Sequence, residues 1–263
     1  MLGRAEIEKT PPSQVRETSK LAKTVFPNIG KGRNRRKQHF PILGSIKNDR
    51  NSVSATVDWQ KYSCMKQKFD VITSTCVPLP LENVDTDQII PARFLKATDR
   101  QGFGENLFRD WRYRKDGTPD PDFVLNDPSY SGCILVAGKN FGSGSSREHA
   151  AWAIAGYGFR VVISSFFADI HKNNELNNFV LPVVVSDDFL QDLFRCIEQN
   201  HRTEVRVDLP NQTVTNLENG RSEQFGINAY KKHCLMNGLD DIDFLIRSHD
   251  KVAAYEEKRD ERW

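Results

Sequence analysis

The 263-residue chain is 38% hydrophobic and carries 37 Lys+Arg against 35 Asp+Glu, for a net charge of +2; a chain of that length and composition can bury most of its apolar surface, which excludes a wholly disordered or fibrous protein. The near-balance hides a division, because residues 1–64 hold 13 Lys+Arg and 5 Asp+Glu, a surplus of +8, while the remainder is acidic. Five cysteines, Cys64, Cys76, Cys133, Cys196 and Cys234, are odd in number, far apart and without a CxxC, which argues against a disulfide framework and for a reducing, cytoplasmic compartment, with no zinc or iron–sulfur site assignable to this chain alone.

Residues 1–64 lack a sustained apolar period, and GKGRNRRKQ at 30–38 is a basic, solvated run. The segment reads as an extension separate from a folded domain at 65–263, and three explanations compete for it. A transit peptide should be poor in acids, yet Glu6, Glu8, Glu17, Asp49 and Asp58 interrupt this one. A nucleic-acid-binding arm rests on charge alone. Translated sequence upstream of a start at Met65 is the preferred reading, and no nucleic-acid partner is expected.

From Met65 the punctuation becomes regular. FDVITSTCVPL at 69–79 predicts a strand closed by Pro78 and Pro80, with Asp85-Thr86-Asp87 at its end. The stretch from Arg100 to Tyr130, rich in Gly, Asp, Pro and aromatic residues, reads as long loops with one helical turn, carrying specificity rather than core. GCILVAG at 132–138 predicts a buried strand, SREHAAWAIAGYG a helix, FRVVISS a second strand, FADIHKNNELNN a second helix and FVLPVVV a third strand. A helix at 187–199, polar strands around TEVRVDL and QTVTNLE, and helices from Asn228 to Met236 and Ile242 to Arg259 complete the chain. That alternation is α/β, a mixed β core flanked by helices, without internal repeats. The longest apolar runs, such as VVISSFFA at 161–168, fall short of the roughly 20 residues a bilayer span needs, so no membrane segment is expected.

The segment NFGSGSSREH at 140–149 follows a buried strand and enters an Ala-rich helix. Gly142 and Gly144 allow a tight turn, and amides at a helix N-terminus bind anions. Ser145 and Ser146 add hydroxyls there, and Arg147 adds a planar fork suited to a carboxylate. A dicarboxylate fits such a site. Ser145-x-x-Glu148 is equally a capping box that needs no function, and spacing alone leaves the two readings level. GxxxxGK[ST] and GxSxG are absent and a GxGxxG match ends in Arg147, so a P-loop, a hydrolase elbow and a dinucleotide fold lose support.

NFGSGSSREHAAWAI resembles the signature of the aconitase superfamily's swivelling domain. NVDTDQIIPARFL at 83–95, FGENLFRDWRY at 103–113 and HCLMNGLDDI at 233–242 are similar to the bacterial-type isopropylmalate dehydratase small subunit. The resemblance runs from Met65 to about Arg259 and leaves residues 1–64 without a counterpart. One departure is Ser143, where relatives often carry Cys or Glu. The resemblance implies a swivelling β/β/α domain and a hydro-lyase that interconverts 2-isopropylmalate and 3-isopropylmalate through 2-isopropylmaleate in leucine biosynthesis. It further implies that the chain works in a heterodimer with a large subunit holding a [4Fe-4S] cluster, binding no cofactor itself. By the same resemblance Ser145 is the base, as its alkoxide, Arg147 and Ser146 bind substrate, and Thr86 and Asp87 support them, with Gly144 shaping the turn.

Arg93 is a candidate for a second substrate carboxylate. Asp85-Thr86-Asp87 reads by composition as an Asx-type turn and by resemblance as a pair reaching the site. His149, four residues from Ser145, mimics the base of a Ser-His pair, but a packed helix histidine is the stronger reading. Leu95, Phe103 and Leu107 are candidates for an apolar wall, with ordinary packing again stronger. The alternative within the class is a related small subunit acting on citraconate-, methylmalate- or homoaconitate-type acids; outside it stand a nucleic-acid-binding protein and a serine hydrolase.

Overall fold

A computed structural model describes residues 67–260. The expected basic extension at 1–64 lies outside the described residues. The first strand, β1 (Val71–Leu79), occupies the middle of a seven-stranded mixed sheet. On one side it pairs in parallel with β2 (Ile134–Ala137), followed outward by β3 (Val161–Ser164) and β4 (Leu181–Val184), also parallel. On its other side it pairs antiparallel with β5 (Glu204–Asp208), followed by β6 (Thr213–Asn216) and β7 (Ser222–Gln224). The α/β expectation with a mixed β core therefore holds. The final strand, β7, is missing from the sequence reading, since Ser-Glu-Gln has neither β-branched residues nor alternation.

Continuous apolar runs become strands because helices cover both faces of the parallel half. Along β2, Ile134 and Val136 enter one core cluster while Leu135 and Ala137 enter the other; β3 divides Val161 and Ile163 from Val162 in the same way. Helices follow in chain order: α1 (Thr86–Ile89), α2 (Arg109–Arg112), α3 (Glu148–Tyr157), α4 (Asp169–Asn177), α5 (Asp187–Gln199), α6 (Ala229–Asn237), α7 (Asp241–Arg247) and α8 (His249–Asp260). The helix expected at about 187–199 is α5. Ser186 caps it by accepting from Phe189 N at 3.1 Å, and its buried face is Phe189, Leu190, Leu193 and Ile197.

Two expectations need correction. The helix predicted from Ile242 to Arg259 is interrupted at Ser248, giving α7 and α8, whose apolar residues Ile242, Leu245, Ile246, Val252 and Tyr255 are exposed. The segment around 103–113, expected to carry specificity rather than core, contributes to the core: Phe103, Leu107 and Phe108 are buried, and Phe108 stacks on Trp111 at 5.6 Å. Burial of each such side chain stabilises by about 1.5–3 kcal/mol, so this stretch is anchored although its turns are short and irregular.

The anchoring reaches the backbone. A Cβ on Gly104 would stand 2.3 Å from Gly156 C and Tyr157 N, so the 103–106 turn touches the main chain of α3 near its end. Gly158, at φ +115°, then closes α3 in the left-handed conformation. Gly104→Ala is expected to lower stability by about 1–3 kcal/mol through forced separation of these backbones. Urea unfolding should report a lower midpoint with an unchanged m-value.

Candidate active site

Parallel strands align their carboxyl ends, and in open α/β sheets ligands bind in the crevice beyond those ends. The loops after β1, β2 and β3 converge there. The β1 loop supplies Asn83–Ile90, the β2 loop Lys139–Arg147, and the β3 loop Phe166–Ala168. Gly142 N and Ser143 N donate to Val84 O at 2.9 and 3.1 Å, and Thr86 N donates to Ser143 O at 2.8 Å. Phe141 N donates to Phe166 O, and Ala168 N to Phe141 O, both at 3.1 Å. The β2 loop is thus laced to both neighbours as if it were a short strand.

Lacing at this distance requires left-handed turns and small residues. Gly144 has φ +88°, and a Cβ there would stand 2.1 Å from Asp85 Oδ2. Asp85 has a structural task of its own, because α1 begins with a capping box in which its carboxylate accepts from the helix backbone and Gln88 Oε1 accepts from Asp85 N at 2.8 Å. Asp85-Thr86-Asp87 accordingly opens a helix well beyond the end of β1 at Leu79, rather than ending that strand.

The capping-box reading of Ser145 fails. Helix α3 starts at Glu148 with Arg147 in the N-cap position and no side-chain cap bond, so Ser145 and Ser146 stand in the loop before the helix, both exposed. They line a cavity of about 250 Å³ together with Thr86, Gly142, Gly144 and Arg147. Its opposite wall is the start of α4, with Asp169, Ile170 and His171. Thr86, only 1% exposed, donates through Oγ1 to Ser145 O at 2.8 Å. Arg147, mostly buried, forms an ion pair through Nη1 with Asp87 Oδ1 and reaches Ile90 O at 3.5 Å. Five of the expected residues, Thr86, Gly144, Ser145, Ser146 and Arg147, therefore share one cavity, and Asp87 pairs with Arg147 beside it.

Arg93 stands apart. It is paired with Asp110, whose carboxyl it holds below the ordinary carboxylate range, and it does not line this cavity. His149 is a packed helix histidine: Nε2 lies 3.1 Å from Ala97 O, and the ring contacts Trp152 at 4.4 Å and Phe103 at 5.7 Å. Phe103 and Leu107 lie in the core cluster on that side, with Leu95 packed against it, and none of the three lines this cavity. A second cavity of about 270 Å³, lined by Arg100, Asn178, Lys231 and Asp241 among others, contains none of the expected residues. The α4 wall was missed by the sequence reading; its signal is the His-x-x-x-Glu spacing of Asp-Ile-His-Lys-Asn-Asn-Glu, which looks like a solvated helix face.

Among the described residues, no three His, Cys, Asp or Glu side chains come together as a metal would require, and no helix is long and apolar enough to cross a membrane. The donor set of the described residues does not fit an iron–sulfur cluster.

Comparison with known proteins accords with this geometry. The Aconitase C-terminal domain family matches residues 66–188. The 3-isopropylmalate dehydratase small subunit of Cytophaga hutchinsonii is 62% identical over 190 residues, covering 72% of this chain and 94% of that protein. The corresponding small subunit of Azobacteroides pseudotrichonymphae is 61% identical over 191 residues, covering 72% of this chain and 97% of the relative. This chain belongs to the 3-isopropylmalate dehydratase small-subunit family. A solved 3-isopropylmalate dehydratase structure from Methanocaldococcus jannaschii, 24% identical, superposes with a TM-score of 0.52 over 71% of this chain and 99% of that one, which supports the fold. The aconitase-type domain expected from the sequence is the observed one, and the small-subunit naming of the family implies a large-subunit partner.

The bond from Thr86 to Ser145 O ties the β1 loop to the serine. Thr86→Val should cost about 1 kcal/mol of stability and speed amide hydrogen exchange across residues 143–147, while exchange in β1–β3 stays at its wild-type rate.

Proposed function

We propose that the chain is the small subunit of a 3-isopropylmalate dehydratase, interconverting 2-isopropylmalate and 3-isopropylmalate through 2-isopropylmaleate in leucine biosynthesis, in a heterodimer with the large subunit. The observation that carries the reading is the juxtaposition of Ser145, Ser146 and Arg147 in one cavity at the carboxyl ends of parallel strands, in a chain whose relatives bear that name. By the family resemblance, the [4Fe-4S] cluster is assigned to the large subunit.

Ser145 is the base that removes the proton beside a substrate carboxylate. An ordinary serine hydroxyl is far too weak for this, so the reaction needs an environment that stabilises the alkoxide. Arg147 supplies positive charge next to Ser145, and its ion pair with Asp87 holds the guanidinium at the cavity. Thr86 fixes the Ser145 carbonyl, which leaves fewer rotations between the backbone and the hydroxyl. Arg147 binds a substrate carboxylate with Ser146 as a further donor, and Gly144 lets the loop pass over Asp85. Arg93 joins only by exchanging Asp110 for a substrate carboxylate.

Both serines are exposed, whereas alkoxide chemistry requires a site poor in water. The large subunit supplies the cover. The odd number and wide spacing of the cysteines favour a reducing compartment, and the cytoplasm is the proposed location.

The test is co-expression with a large subunit and measurement of isopropylmaleate hydration. Ser145→Ala should reduce kcat by about 10²–10⁴-fold without loss of heterodimer, and unchanged activity would overturn the assignment. Arg147→Lys keeps the charge but loses the planar fork, and should raise KM more than it lowers kcat.

A further inference from the structure

The α4 wall of the cavity contains a feature that the roles above do not use. His171 and Glu175, one helical turn apart, are buried together, with side chains 1% and 0% exposed. His171 Nε2 lies 3.0 Å from Glu175 Oε1, and among the described residues neither group has a hydrogen-bond partner outside the pair. Burial pushes the Glu175 carboxyl above its usual range, opposed by the neighbouring imidazole.

Stability does not account for this pair. Taking two ionisable groups out of water carries a penalty that their attraction repays only with good geometry, and well-packed apolar replacements are often neutral or stabilising. Among the described residues this pair has no further hydrogen-bond partner to offset that penalty. What the pair does have is a position. The imidazole packs edge-on against Phe141, with centroids 5.4 Å apart and planes at 68°. A Cβ on Gly142, which has φ +75°, would stand 2.1 Å from His171 Cδ2, so the ring lies directly beneath the loop backbone three residues before Ser145. His171 lines the cavity, whereas Glu175 lies one turn farther along α4 and does not.

We propose that the His171–Glu175 pair is a positioning device for the serine loop: Glu175 holds the imidazole at the angle on which Gly142 rests, and that contact sets where Ser145 stands in the cavity. His171 acts through the loop and touches no substrate. This rests on the reading of Ser145 as the base. Displacement of a reacting group by about 1 Å costs on the order of 10²-fold in rate, so a small tilt of the ring is enough to matter.

The experiment compares the large-subunit complexes of wild type, Ser145→Ala, Glu175→Gln and the double variant His171→Phe/Glu175→Leu in isopropylmaleate hydration, with thermal unfolding of each. The double variant removes both ionisable groups, so its midpoint should match or exceed wild type. Its kcat should fall about 10-fold or more with KM within about 2-fold. Glu175→Gln keeps a polar partner for the ring and should fall between the two, at an unchanged midpoint. Wild-type kcat in either variant, or losses of kcat that simply follow losses in midpoint, overturns the positioning role. If the double variant does not assemble, Glu175→Gln decides alone. Activity retained in Ser145→Ala signals failure of the underlying reading, whereas an inactive Ser145→Ala beside a fully active Glu175→Gln signals failure of this inference only.

Discussion

Everything at the site depends on one constraint: the loop after β2 must run between the loops after β1 and β3 closely enough to bond to both. Val84 O accepts two amides from that loop, and Phe141 exchanges bonds with the β3 loop on the other side. A side chain at residue 142 or 144 would collide with His171 or Asp85, so the loop is glycine at those positions for reasons of space as well as torsion. Serines 145 and 146 emerge where the lacing ends and α3 begins. Their exposure is a consequence of that geometry, since the chain has used its backbone groups on the neighbouring loops and turns its side chains outward.

Much of the fold is legible in the sequence because burial on both faces leaves a simple trace. Val161 to Ile163 and Ile134 to Ala137 are short apolar runs between turn residues, and Asp187 to Gln199 shows the spacing of an amphipathic helix behind a serine cap. The errors share a physical origin. Phe103, Leu107 and Phe108 are core residues presented by short turns, which have no period to detect. Ser145-x-x-Glu148 imitates a capping box, yet α3 starts only at Glu148, while a real box lies at Asp85, where composition suggested an Asx-type turn.

The candidate site was half legible. Residue types within 140–149 announce an anion site, but the brace for Arg147 comes from Asp87 and the tie for Ser145 from Thr86, each about sixty positions away in sequence. Only the family resemblance linked those segments before the structure did. The His171–Glu175 pair was invisible for the opposite reason: a polar pair at i, i+4 normally marks a solvated face, and nothing local reveals that α4 turns it inward. Arg93, attractive because it is cationic and near Thr86 and Asp87 in sequence, has instead been claimed by Asp110.

The contact between Gly104 and Gly156 gives the molecule a fixed ruler. Helix α3 meets the 103–106 turn main chain against main chain near its end, and at its N-cap Arg147 pairs with Asp87, so both ends are tied to segments that follow β1. On the α4 wall Ile170 lines the cavity and is open to solvent, so a change of side-chain size there meets neither contact. Two glycines outside the cavity in this way help to register the helix that begins at Arg147.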